Sequence, residues 1–476
     1  MSTFDVDPPY SDDEEEFERD SRHADEEIRK LAERLKNGGS GTTNIEALEE
    51  IVNFYFESEK YDEALHFITT LLEFIPYSAD TWQRKGIILN NLLKYEEALE
   101  CYERAHNLDP VDSELLVNMG ITLDNLNRLT EAIGSFDRAL EIDPNNEEAL
   151  FNKGITYEKL EQYHQAIKIF RFIVDGKPEH KEAWYELGFC YDFLDRLEDS
   201  LRCYDADLNL DPYNFNAWYN RGIVLNRMAM HQKSIESYDM ALAIREDFPA
   251  AWYNKGNAFA NMGRLHDALE CYKQTLRHEP RDVPAWHNMG NAYEELGEKK
   301  EAIKCFTQAI KYDPDHYESY FGRGSCYDAL QQYRKALSDY NKTLSICHDY
   351  SDVWYAKADA EYNLRKLRDS LLSYRMVVKY DPKNYEAWCD YGEALFELGY
   401  YRQALRSFNK SISLNAQWAD AYYSRAKVLF VLRRTLDGLE SLKTSFTLDA
   451  EKKRQFEREF PGVKSIREFS RLLKKK

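Results

Sequence analysis

The sequence predicts an all-α chain, a solenoid of stacked helix pairs, and three observations carry the prediction. First, glycines stand 34 residues apart without a slip at Gly86, Gly120, Gly154, Gly188, Gly222, Gly256, Gly290 and Gly324, and Gly392 falls in the same phase. Second, Trp82, Trp184, Trp218, Trp252, Trp286, Trp354 and Trp388 all sit four residues before that position, so seven of the eight tryptophans share one phase. Third, apolar residues recur at helical spacing twice in each period, as in Trp218, Leu225 and Met228 and then in Ile235, Tyr238 and Leu242. A fixed period of this length marks an array of small units, none of which can bury its apolar face alone.

The elements follow in chain order. Residues 1–20 carry nine acids against one base, which predicts an acidic, disordered tail. Residues 21–44 predict a short helix, with Ile28, Leu31 and Leu35 on one side, and then a flexible Asn37-Gly38-Gly39-Ser40-Gly41 linker. Twelve units then run without insertion over 45–452; the first is degenerate but keeps Leu48, Ala64 and Pro76. Each unit reads as two amphipathic helices, A and B. The glycine of helix A and a small residue twelve positions later (Ala98, Ala132, Ala166, Ser200) let the two approach closely, and an aromatic four further on (Tyr102, Phe136, Phe170, Tyr204) fills the gap. Asp-Pro steps such as Asp109-Pro110 stop helix B, because proline lacks an N–H and disfavours helix in the residue before it. Asp112, Asn146, Asn214, Asp282 and Asn384 follow two residues later, placed to cap the next helix A. Residues 453–476 hold nine Lys and Arg against three Glu, with Val463, Ile466, Phe469, Leu472 and Leu473 as an apolar stripe, and predict a basic capping helix.

The pattern resembles the tetratricopeptide repeat (TPR) family, over 408 of 476 residues. The resemblance implies a right-handed superhelical α-solenoid of TPR helix pairs, with helix A lining an inner groove. The departures are local: Val52, Ala358 and Ala426 replace the glycine, and Lys85, Lys153, Arg221, Lys255 and Arg323 stand where the family usually has leucine.

Composition narrows the function. The net charge of −21 argues against binding nucleic acid or an anionic membrane. No apolar run reaches the length of a membrane span, and the acidic N-terminus does not read as a secretory signal, so a cytoplasmic protein is expected. Cys101, Cys203, Cys271 and Cys305 share one helix B position, and Cys190 and Cys326 one helix A position; they read as small buried hydrophobes. Cys347 and Cys389 fall elsewhere in their units and are expected to be the more reactive thiols. No zinc-ligand spacing, phosphate loop or catalytic constellation is present, so no cofactor, no metal and no enzymatic activity are expected.

In the groove positions implied by the resemblance, asparagine recurs at Asn118, Asn152, Asn220, Asn254 and Asn288, with Asn257 and Asn291 one turn on and Asn226 and Asn261 further along. Tyr219 and Tyr253 stand beside them. An amide offers donors and an acceptor together, so a ladder of them suits the backbone of an extended peptide. The same residues also suit hydrogen bonding between helices. The expected function is a scaffold or adaptor that grips a protein or peptide segment, with a structural assembly protein or regulatory subunit, acting through the convex face or the charged ends, as the alternative. Acidic flanks, including Glu386, Asp390, Glu393 and Glu397, favour a neutral to basic segment. A monomer or weak self-association is expected.

Overall fold

The computed structural model describes residues 26–36 and 45–461. The acidic tail of residues 1–20, the glycine-rich linker and most of the basic cap, including Val463, Ile466, Phe469, Leu472 and Leu473, lie outside the described residues.

Among the described residues there are helices and turns and no strand. After a helix over 26–36, twenty-four helices run from Ile45–Glu57 to Thr435–Leu448, and a shorter one, Ala450–Glu459, follows. The expected caps form. Asp112 accepts from the Leu115 N–H at 3.0 Å and Asn146 from the Ala149 N–H at 2.9 Å; Asn214, Asp282 and Asn384 do the same for their own helices. Ser78 also caps, as do His180 and His316 through Nδ1, three that composition alone did not single out.

Every A helix turns into its B helix through one residue in the left-handed region. Three of these are Gly263, Gly297 and Gly399, while the others include Leu93, Asn127, Glu161 and Gln331. At Leu93 the turn is a Schellman motif: the Lys94 N–H donates to the Leu89 carbonyl and the Leu93 N–H to that of Asn90, both at 2.9 Å.

The chain divides into two compact units between Met228 and Ala229. Within each, substantial contact is between helices one or two apart along the chain. The helix B aromatic lies directly on the helix A glycine. A Cβ built on Gly290 would come 2.6 Å from Cε1 of Phe306, and one on Gly256 2.7 Å from that of Tyr272. The tryptophans hook the preceding loop: Nε1 of Trp82, Trp184, Trp286 and Trp388 donates to the carbonyl of Pro76, Pro178, Pro280 and Pro382, at 2.8–3.0 Å. Cations in the family's usual leucine position serve as staples. Lys255 lies over the Trp252 ring and pairs with Asp239 at 2.5 Å; Arg323 lies over Tyr320 and pairs with Asp339 at 2.7 Å. At the end of the array Phe456 is buried against Tyr423 and Phe446.

Candidate functional site

The site is built from side chains on the A helices, and the residues expected there fall into two groups, one in each unit. In the first unit Asn118 makes no side-chain hydrogen bond among the described residues, and Asn152 Nδ2 donates to the Glu148 carbonyl at 2.9 Å, within its own helix. Asn220 Nδ2 donates at 2.9 Å to the hydroxyl of Tyr185, one repeat earlier. Tyr219 is half-buried beside it.

The second unit holds Tyr253, Asn254, Asn257, Asn288 and Asn291. Asn288 Nδ2 donates to Tyr253 Oη and to Asn257 Oδ1, both at 2.9 Å, and Tyr272 Oη donates to that same Asn257 oxygen at 2.8 Å. Asn291 Nδ2 donates to Nε2 of His287 at 3.0 Å, whose Nδ1 faces Ser319 Oγ at 3.1 Å. Burial, and then the neighbouring His316, push His287 down to about 4, so the imidazole is neutral at pH 7 and can accept that bond. Asn257, Asn288 and Asn291, with Asn261, line a cavity of about 310 Å³ that Leu265, Tyr272 and Glu295 complete. Thus three of the expected residues share one cavity, and part of their donor capacity serves contacts between neighbouring repeats.

Three further repeats carry acids on the A helices, Asp359 and Asp390 in the positions of Asn257 and Asn288 and Asp328 in that of Glu294. Asp328, Asp359 and Asp390 follow one another at intervals of 31 residues. Side chains so spaced meet across neighbouring A helices, as Ser325 Oγ to Glu294 (2.9 Å) and Ser424 Oγ to Glu393 (2.7 Å) show. Two adjoining cavities, of about 320 and 350 Å³, both open onto Asp328 and Asp359; the first is walled by Tyr340 and Tyr355, and the second by Tyr362, Tyr374, Asp390 and Glu393. Tyr374 Oη donates to Asp359 and Tyr355 Oη to Asp390. Burial, ahead of the neighbouring acids, pushes Asp390 up to about 7, and burial also raises Asp328 and Asp359. Of this row, sequence reasoning singled out Asp390 alone; the 31-residue interval inside a 34-residue period was the signal for the others.

Two expectations about chemistry meet the structure here. Cys389, expected to be reactive, is 3% exposed in the A-helix position that aromatics hold elsewhere, and burial raises its thiol well above the ordinary range. Cys347 is partly exposed, and burial and the nearby Asp349 raise it too. Among the described residues no group of three or more His, Cys, Asp and Glu could hold a metal ion, and no helix is long and apolar enough to cross a membrane.

Family models described as tetratricopeptide repeat match residues 249–282, 283–316, 305–338 and 355–412. A fourth, described as the N-terminal TPR repeats region of Psidin, matches 53–173. No curated protein matches the chain. A crystal structure of MamA is similar at 24% identity, covering 34% of this chain and 94% of its own, with a TM-score of 0.33. A second, MamA 41-end from Desulfovibrio magneticus RS-1, is similar at 26% identity over 35% of this chain and 95% of its own, with a TM-score of 0.34.

Proposed function

Because this chain belongs to the tetratricopeptide repeat family, whose arrays are protein-interaction scaffolds, we propose that it is a non-enzymatic adaptor holding an extended partner segment along its A helices. The observation that carries the reading is the cavity shared by Asn257, Asn288 and Asn291. Its polar groups are held in place by Tyr253 and Tyr272, so a ligand meets a preorganised surface and little side-chain entropy remains to be lost. The Asn288 amide oxygen can accept a peptide N–H, while the buried Tyr272 and Leu265 close the cavity beneath it. Backbone recognition of this kind fixes the path of a segment and leaves much of its sequence free.

The test is capture of partners from native extract by the wild-type chain and by a variant with Asn257, Asn288 and Asn291 changed to Ala. The variant is expected to lose its partner, at about 1 kcal/mol or a little more per amide, with helicity unchanged by circular dichroism. A partner held equally by both proteins rejects this surface as the binding face.

A further inference from the structure

Tyrosine-bonded positions in the A helices carry amides in the sixth to eighth repeats and carboxylates in the tenth and eleventh. Tyr185 and Asn220 are 35 residues apart, as are Tyr253 and Asn288, and so are Tyr355 and Asp390. Tyr272 bonds Asn257 fifteen residues back, and Tyr374 bonds Asp359 at the same interval. At the 35-residue interval the amide donates to the tyrosine where the carboxylate accepts from it, and at the fifteen-residue interval both accept, so either residue type joins its two helices. The carboxylate alone adds the cost of placing an acid in a half-buried site.

Elsewhere on these helices, three acids at the position of Asp328 find a cation, while a fourth, Glu158, takes a hydrogen bond from Cys190 instead. Asp124 pairs with Lys159, Asp192 with Arg227, and Glu294 with Lys299 at 3.4 Å. Asp328, Asp359, Asp390 and Glu393 form no ion pair among the described residues. Oδ1 of Asp328 is buried and has no hydrogen-bond partner. The row thus combines half-buried acids in line, tyrosine walls and one buried carboxylate oxygen left without a donor. Acids without a cation partner that line a cavity mark a candidate functional site.

We propose that the row Asp328, Asp359 and Asp390, with Tyr355, Tyr362 and Tyr374 around it, docks arginine side chains of an extended basic segment in a protein partner. The proposal rests on the reading of the A-helix face as peptide-binding and names the chemistry its C-terminal part selects. A guanidinium fits better than an ammonium. It is planar, weakly hydrated, able to fork onto a carboxylate and able to stack on tyrosine. The absence of any metal-holding arrangement in the row favours an organic cation over a metal ion.

The experiment is fluorescence anisotropy with the full chain. The probe is a fluorescein-labelled Gly/Ser peptide carrying two arginines, and the control is the same peptide with citrulline, which keeps the shape and removes the charge. Wild type is expected to bind the arginine peptide at least ten-fold tighter than the citrulline peptide. The triple variant Asp328→Asn, Asp359→Asn and Asp390→Asn is expected to lose that preference. It should fold, since two of its three new amides repeat the Tyr–Asn contacts of earlier repeats; if its melting temperature falls, Asp328→Asn alone is the variant to use. A second triple variant, Glu96→Gln, Glu97→Gln and Glu100→Gln, makes the same change in net charge on an exposed helix B and should bind as wild type does. Equal binding of the two peptides, undiminished arginine binding by the Asn variant, or an equal loss in the Gln variant would each overturn the proposal. Because the adaptor reading is tested at Asn257, Asn288 and Asn291, the acidic row can fail while that reading stands, and the reverse.

Discussion

Leu93 occupies a left-handed backbone conformation, at φ 60°, that costs an L side chain roughly 1 kcal/mol. Its side chain is 71% exposed, so little packing offsets that strain. Leu93→Gly should therefore stabilise the second repeat by about 0.5 kcal/mol, after the greater unfolded-state freedom of glycine is set against the relief of strain. Slower amide exchange in Ala79–Asn91 and Tyr95–Leu108 would register the gain, and faster exchange would show that the leucine has a packing role. The same turn holds Gly263, Gly297 and Gly399 in other repeats, so the chain itself supplies the precedent. The staples at Lys255 and Arg323 work at this scale too. Each combines an ion pair with a ring contact, which accounts for a cation where the family usually has leucine.

At the scale of elements, two helices come as close as their smallest residues allow. Gly290→Ala would drive a Cβ into the Phe306 ring and is expected to cost about 1–3 kcal/mol, measured by urea unfolding. Ala358 and Ala426 show that a methyl is accommodated where the neighbouring helices have adjusted to it. A second contact between helices depends on pH. Glu158 and Glu186 lie on consecutive A helices and interact electrostatically, and the Cys190 thiol donates to Glu158 at 2.8 Å. Burial raises both carboxyls above their ordinary range, Glu158 further by the charge of Glu186. A raised carboxyl stabilises the fold below its unfolded pKa, near 4.5, and loses that contribution as pH climbs through the folded value. Stability should thus fall between about pH 5 and pH 9, and Glu158→Gln should flatten the decline, gaining on the order of 1 kcal/mol at pH 9 with little change at pH 5. Thermal melts across that range decide it; parallel curves for the two proteins would mean that the pair is ionised in the fold.

For the whole molecule, contacts confined to near neighbours make stability a sum over adjacent repeats. The damage from Gly290→Ala should accordingly appear in hydrogen exchange at the adjoining helices of the second unit and fade with distance along the chain, whereas uniform loss of protection would show long-range cooperativity. The repeat, the helix pairs, the Asp and Asn caps and the aromatic-on-glycine contact were legible in the sequence, because each is dictated by spacing within a single 34-residue period. Asn257, Asn288 and Asn291 were placed on one face by the resemblance to the family. Which group each amide bonds was not legible, since Asn288 finds Tyr253 on the preceding repeat only once the rotation of one helix against the next is set. The burial of Cys389 and the row of Asp328, Asp359 and Asp390 depend on that rotation as well. Sequence by itself therefore determined the period and the local geometry of this protein, through sterics and helical phase. The tertiary structure alone decided which polar groups are spent between repeats and which stay available, because that depends on distances across helices that composition does not encode.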